Sequence, residues 1–204
     1  DKVTAECRYF LPTTHALRRL QGFTLKNSDG QEAPELRTKL WTAVAASWAG
    51  FLHVPSRQGL AVSFADDAYR GFYVWKAAID FPTLEWSFAD LPAGHRRETS
   101  LHLIQVDGLA GLCHASPELL AQMDWSYAGD ELEVTTALQP LSGSRPTRLL
   151  TTVEQVGGRL KRNNTLELAG PGQPELRASF AVPGEGLFLI TQQVFAGDVR
   201  LAQW

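Results

Sequence analysis

ELEVTTAL, residues Glu131–Leu138, places Leu132, Val134, Thr136 and Leu138 on one side of an extended chain and Glu131 and Glu133 on the other. Side chains in a strand alternate faces with a period of two, so this pattern describes a strand with one dry and one wet face. TLEWSFADL, from Thr83, does the same with Leu84, Trp86 and Phe88 opposed to Glu85 and Ser87. ELRASFAV, from Glu175, repeats it with Leu176, Ala178, Phe180 and Val182. RGFYVWKA, SLHLIQV, DWSYA, TRLLTTVEQV, RLKRNNTLEL, GLFLITQQVF and DVRLAQW are further candidates, and KVTAECRYF near the start is a possible first strand.

Turn chemistry separates these runs: Pro-Ala-Gly, Ala-Gly-Asp, Ser-Gly-Ser-Arg-Pro, Gly-Gly, Gly-Pro-Gly and Pro-Gly-Glu-Gly. Strands joined by such short turns must run antiparallel. The expected fold is therefore mainly β, an antiparallel barrel of about eight to ten strands, since closure hides the edges of so many strands. One domain is expected over residues 1–204, with 1–52 as a strand and helical segment and 53–204 as the barrel.

Helices are expected in three places. Leu36, Leu40, Trp41, Val44 and Trp48 follow at helical spacing, opposite Arg37, Lys39 and Thr42, with Pro34 suited to the first turn. This helix would cover one end of the barrel. A short helix is expected around Leu17 and Leu20, after Pro12 breaks the first strand and Thr13 or Thr14 caps. SPELLAQ, Ser116–Gln122, has a capping serine, a proline and a glutamate in order.

The composition, 44% hydrophobic and 20% charged over 204 residues, is that of a globular chain long enough to bury a core. A net charge of −3 argues against a protein that holds nucleic acid by its phosphates. No window reaches the length of an apolar membrane span. Cys7 and Cys113 are too few for a disulfide scaffold, and whether they pair is open. Asn163-Asn164-Thr165 is a sequon that matters only in a secreted chain. The chain starts at Asp1 without methionine, compatible with a removed leader, so the compartment is open.

No metal motif unites the histidines, His15, His53, His95, His102 and His114, and no nucleophile elbow or phosphate loop is present, so no cofactor is evident. Aromatic residues make up 10% of the chain and cluster in Phe72-Tyr73-Val74-Trp75, Trp86-x-Phe88 and Trp125-x-Tyr127. Such clusters either fill a core or wall a pocket for a flat apolar ligand. The candidate ligand-binding residues are Trp86, Phe88, His102, Trp125, Tyr127 and Gln192. His102 alternates with Ile104 and Val106, and Gln192 with Phe188 and Ile190, so each is a polar group on an apolar face. Asp66-Asp67, Asp80 and Asp124 are the carboxylates near strand ends.

Ser47-Trp48-Ala49-Gly50 resembles the Gly-x-Trp kernel of the lipocalin and fatty-acid-binding (calycin) group, although here the glycine follows the tryptophan. GLFLITQQVFAGDVRLAQW resembles the closing strands of the S-type phycobilin lyases in that group, through Leu189, Ile190, Thr191 and Arg200. The resemblance implies a barrel holding a small hydrophobic or aromatic molecule, such as a linear tetrapyrrole, as a carrier, chaperone or cofactor-handling protein. It leaves two alternatives: an enzyme on the same barrel, bilin-lyase-like or a cyclase or isomerase, and a non-catalytic assembly factor using its outer surface on a protein acceptor.

Overall fold

The computed structural model describes residues 7–12, 17–21, 40–42, 47–64, 69–76, 82–88, 91–141, 143–169, 175–184 and 186–204. Among them the chain is strand and turn, with no helix. Two compact units are formed, Asp1–Ala110 and Gly111–Trp204.

The first unit contains β1 (Cys7–Pro12), β2 (Leu17–Gln21), β3 (Leu40–Thr42), β4 (Trp48–His53), β5 (Gln58–Phe64), β6 (Tyr69–Lys76), β7 (Pro82–Phe88) and β8 (Leu101–Asp107). One antiparallel sheet has the order β2-β1-β4-β5-β8 and another β3-β6-β7. Trp48, Ala49, Leu52, Ala61, Val62, Phe64, Ile104 and Val106 are buried on β4, β5 and β8 of the larger sheet.

The second unit contains β9 (His114–Ala115), β10 (Leu119–Ala128), β11 (Glu131–Pro140), β12 (Arg148–Gln155), β13 (Lys161–Glu167), β14 (Leu176–Ala181), β15 (Phe188–Ala196) and β16 (Val199–Gln203). They make two antiparallel sheets, β14-β11-β10-β9 and β13-β12-β15-β16. The alternation read in the sequence is realised: Leu176, Ala178 and Phe180 are buried on β14 while the residues between them are exposed. The sheets pack face to face, because Leu132, Val134, Ala178 and Phe180 of one join Val153 of the other in a single cluster. A second cluster joins Leu119 and Leu176 to Leu149, Val194 and Ala202. Two-residue Gly-Asp turns link β10 to β11 and β15 to β16; Gly129 has φ 63°, the first central position of a type II′ hairpin.

Antiparallel β structure is as expected, but five features differ. The described strands do not close into a barrel: they form four sheets with free edges. The edge strand β13 is protected in another way, by charge, since it carries Lys161, Arg162 and Glu167 with mostly exposed side chains. Sixteen strands are described, more than the eight to ten expected.

The expected helix from Leu36 to Trp48 is strand wherever it is described. Leu40, Trp41 and Thr42 pair with Val74, Tyr73 and Phe72, and Trp48 opens β4 opposite Ser63. The aromatic and β-branched residues of that stretch favour a pleated surface, and cross-strand partners override a helical spacing of apolar residues. Residues 34–39 and 43–46 lie outside the described residues. The helix expected around Leu17 and Leu20 is strand β2, paired with β1, and Pro12 closes β1 opposite Leu17 instead of breaking it. The capping residues 13 and 14 lie outside the described residues.

The third expected helix, Ser116–Gln122, is a tight turn followed by strand. Ser116 and Leu119 exchange backbone hydrogen bonds at 2.9 and 3.3 Å, closing a hairpin between β9 and β10. The Ser116 hydroxyl accepts from the Glu118 N–H at 3.3 Å. A serine accepting from the residue two ahead serves a turn as readily as a helix start, and here it serves the turn. No helix among the described residues is long and apolar enough to cross a membrane.

Candidate functional site

The second unit opens into a cleft of about 470 Å³ between β10 and the start of β15. Met123, Trp125 and Tyr127 of β10 form one wall, and Leu187, Phe188 and Ile190 the other. Leu132 and Val182 line it as well, and Gly184 and Gly186 belong to the loop bounding it. The pattern behind the first wall is simple: Trp125 lies opposite Val134 and Tyr127 opposite Leu132. Residues opposite one another across a ladder share a face, so both aromatics sit on the face whose neighbours are core.

Across the ladder Leu132 is 5% and Val134 1% exposed, yet Trp125 is 64% and Tyr127 40% exposed. The core under β11 is closed by Val153 of β12 with Ala178 and Phe180 of β14, and it is left open only at the Trp125–Tyr127 end of β10. Leu187, 70% exposed, faces solvent at the opposite rim. Gly186 has φ 143°, and a Cβ there would stand 2.9 Å from Gln155 Nε2 and 3.4 Å from the Phe188 ring. The loop reaches this close because residue 186 has no side chain. Polar character enters at Tyr127, whose Oη lies near Gly184 with the Asp130 carboxylate.

The second unit also carries a buried polar knot. Gln192, 1% exposed, donates from Nε2 to the hydroxyls of Thr136 at 2.7 Å and Thr151 at 2.9 Å. Its Oε1 accepts from the Trp204 indole N–H at 3.0 Å, while the two backbones exchange hydrogen bonds at 2.9 and 3.1 Å. Trp204 stacks on His114 with ring centroids 5.4 Å apart and planes at 27°. His114 Nε2 is buried with no hydrogen-bond partner. Burial lowers the His114 pKa to about 4, outweighing the Glu118 carboxylate, which acts in the opposite direction. The ring is therefore neutral at physiological pH.

Of the six candidate ligand-binding residues, Trp125 and Tyr127 come together on the cleft wall. Gln192 lies in the core with its amide satisfied by protein groups, so it supports the sheets rather than facing the cleft. His102 is exposed on β8 in the other unit, although Ile104 and Val106 on its face are buried. Trp86 and Phe88 lie on β7, of which only the backbone is described; they pair with Phe72 and Tyr69. Asp124 is on β10 with its side chain exposed and accepts from Gln122 Nε2 at 2.5 Å. Residues 66, 67 and 80 lie outside the described residues.

Reasoning from aromatic runs missed Met123, Leu132, Leu187, Phe188 and Ile190 as lining residues. The signal for three of them was present: Met123 shares the odd-numbered face of Trp125 and Tyr127, and Phe188 and Ile190 that of Gln192. No group of three or more His, Cys, Asp and Glu residues stands close enough to hold a metal ion among the described residues. Cys113 Sγ donates to the Ala121 carbonyl at 3.3 Å. No protein-family model, curated protein or solved structure matches this chain.

Proposed function

We propose that the chain binds a small hydrophobic or aromatic molecule in the cleft between β10 and β15, in the manner of a carrier, chaperone or cofactor-handling protein. One observation carries the reading: Trp125 lies on the core-facing side of its sheet and is still 64% exposed. Leaving an indole in water on that face forgoes hydrophobic stabilisation, which an apolar ligand would restore. The volume of about 470 Å³ falls within the usual range for small-molecule sites. Tyr127 supplies the polar handle such a site needs for orientation. The same binding role is what the likeness to the calycin group implies.

A ligand covering about half of the exposed indole would remove roughly 60 Å² from water, worth about 1.5 kcal/mol or roughly tenfold in affinity. The test is a fluorescence titration with the apolar probe 1-anilinonaphthalene-8-sulfonate. Trp125→Ala should weaken binding about tenfold, and Val199→Ser, an equally exposed apolar position on β16, should leave it unchanged. Equal affinity in wild type and Trp125→Ala would overturn the reading.

A further inference from the structure

β10 has ten residues, and β9 covers only two of them, Leu120 and Ala121. Beyond Ala121 no described strand lies along that side. The hairpin fixes which backbone groups face outward. Its closing pair, Ala128 and Glu131, is hydrogen-bonded, so the even-numbered residues of β10 direct N–H and C=O toward β11. The odd-numbered ones face away, as the Ala121 carbonyl demonstrates by accepting from the Cys113 N–H at 2.8 Å. Met123, Trp125 and Tyr127 thus present their N–H and C=O groups along an edge that no described strand covers.

Sheet edges are normally blunted by proline, lysine, a bulge or shortness. Residues 122–128 contain no proline or lysine, and their register with β11 runs unbroken. The other edges of this unit differ: β13 is charged, β9 has two residues, β16 is short and carries Arg200, and β14, the far edge of the same sheet, has six residues and carries Arg177.

We infer that a second copy of this chain pairs with it, antiparallel, along the open edge of β10, about a twofold axis at Trp125. In this register each Trp125 faces the other, and Met123 of each copy faces Tyr127 of the other. These are the outward residues, so every such pair exchanges both backbone hydrogen bonds. The apolar side chains of both copies fall on one face and join the two clefts into one surface.

Charge selects the register. Asp124 is the one charged residue in 122–128, and the twofold at Trp125 sets it opposite Ser126 of the second copy, a hydroxyl donor. Sliding one copy to set Met123 against Trp125 would instead face Asp124 with Asp124, which destabilises a cross-strand pair, and sliding it the other way sets Asp124 opposite Ala128, which offers its carboxylate no side-chain donor. Antiparallel self-pairing also consumes the edge, so the assembly closes at two chains.

The test is sedimentation velocity of the whole 204-residue chain over a range of concentrations. Wild type should show a concentration-dependent dimer. Ser126→Asp places two carboxylate pairs face to face between the copies and should weaken the dimer at least about tenfold, while unchanged far-UV circular dichroism shows that the new carboxylate opposite Glu133 in the same hairpin leaves the fold intact. The exchanged variant Asp124→Ser with Ser126→Asp restores a carboxylate opposite a hydroxyl and should recover dimerisation to within about threefold of wild type. Trp125→Pro removes an N–H that β11 does not use, and should abolish the dimer while far-UV circular dichroism is retained. A monomeric wild type, a dimer indifferent to Ser126→Asp, or failure of the exchange to rescue would each overturn the inference. Asp124 and Ser126 lie on the face away from the cleft, so probe binding by the same variants reports separately on the proposed function.

Discussion

Replacing Gln192 with leucine removes the centre of the polar knot and keeps the volume of the side chain. The amide is 1% exposed, as are Thr136 and Thr151, whose hydroxyls stand 2.7 and 2.9 Å from Nε2. Leucine cannot partner them, nor the Trp204 N–H now 3.0 Å from Oε1. A buried polar group left without its partner costs about 1 to 3 kcal/mol. Two hydroxyls in full and the half-buried indole in part give a destabilisation of roughly 4 kcal/mol. Urea unfolding followed by circular dichroism reads this as a lower midpoint at unchanged slope. Substituting both threonines with valine in the Gln192→Leu background removes the orphaned groups and should recover most of the loss. Probe affinity should not change, because Gln192 does not line the cleft. A Gln192→Leu protein within about 0.5 kcal/mol of wild type would refute the structural role, at a level typical of neutral surface changes. So would a tenfold loss of probe affinity at matched stability.

Two further perturbations test the two units. In the folded chain His114 has its pKa lowered from 6.5 to about 4, so the unfolded chain takes up the proton first as pH falls. Stability is then full above pH 6.5 and declines toward pH 4, by about 3 kcal/mol in total. His114→Phe should flatten that segment of the stability curve, and an unaltered slope would contradict a buried neutral ring. In the first unit, Trp48, 2% exposed on β4, should cost about 3 to 5 kcal/mol when replaced by alanine. An unchanged melting temperature for Trp48→Ala would show that the indole is not part of that core.

The strands were the legible part of this sequence. Alternation in ELEVTTAL and ELRASFAV gave β11 and β14 with the right buried face, because a half-buried strand writes its period of two into the residues. Gly129-Asp130 announced its hairpin for the same local reason. The expected helices give way to strand and turn where local chemistry is ambiguous. Leu36 to Trp48 has helical spacing but aromatic and branched residues, and Ser116-Pro117-Glu118 fits a turn and a helix start alike.

Closure could not be read at all, since it depends on which edges meet, and β13 answers its edge with charge. The candidate site was half legible. Trp125 and Tyr127 declared themselves by composition and spacing, while the same rule chose Gln192, whose partners Thr136 and Thr151 are 56 and 41 residues away. A polar residue on an apolar face signals a ligand group or a satisfied core group equally well.

The most direct test of the binding reading is native mass spectrometry of the chain recovered from a ligand-rich extract, beside the variant Leu187→Asp, which puts a charge on the rim of the cleft. The account predicts a non-covalent small-molecule adduct on wild type, lost on denaturation and absent from Leu187→Asp. A wild-type chain that emerges at its bare mass, or an adduct held equally by both proteins, would contradict it.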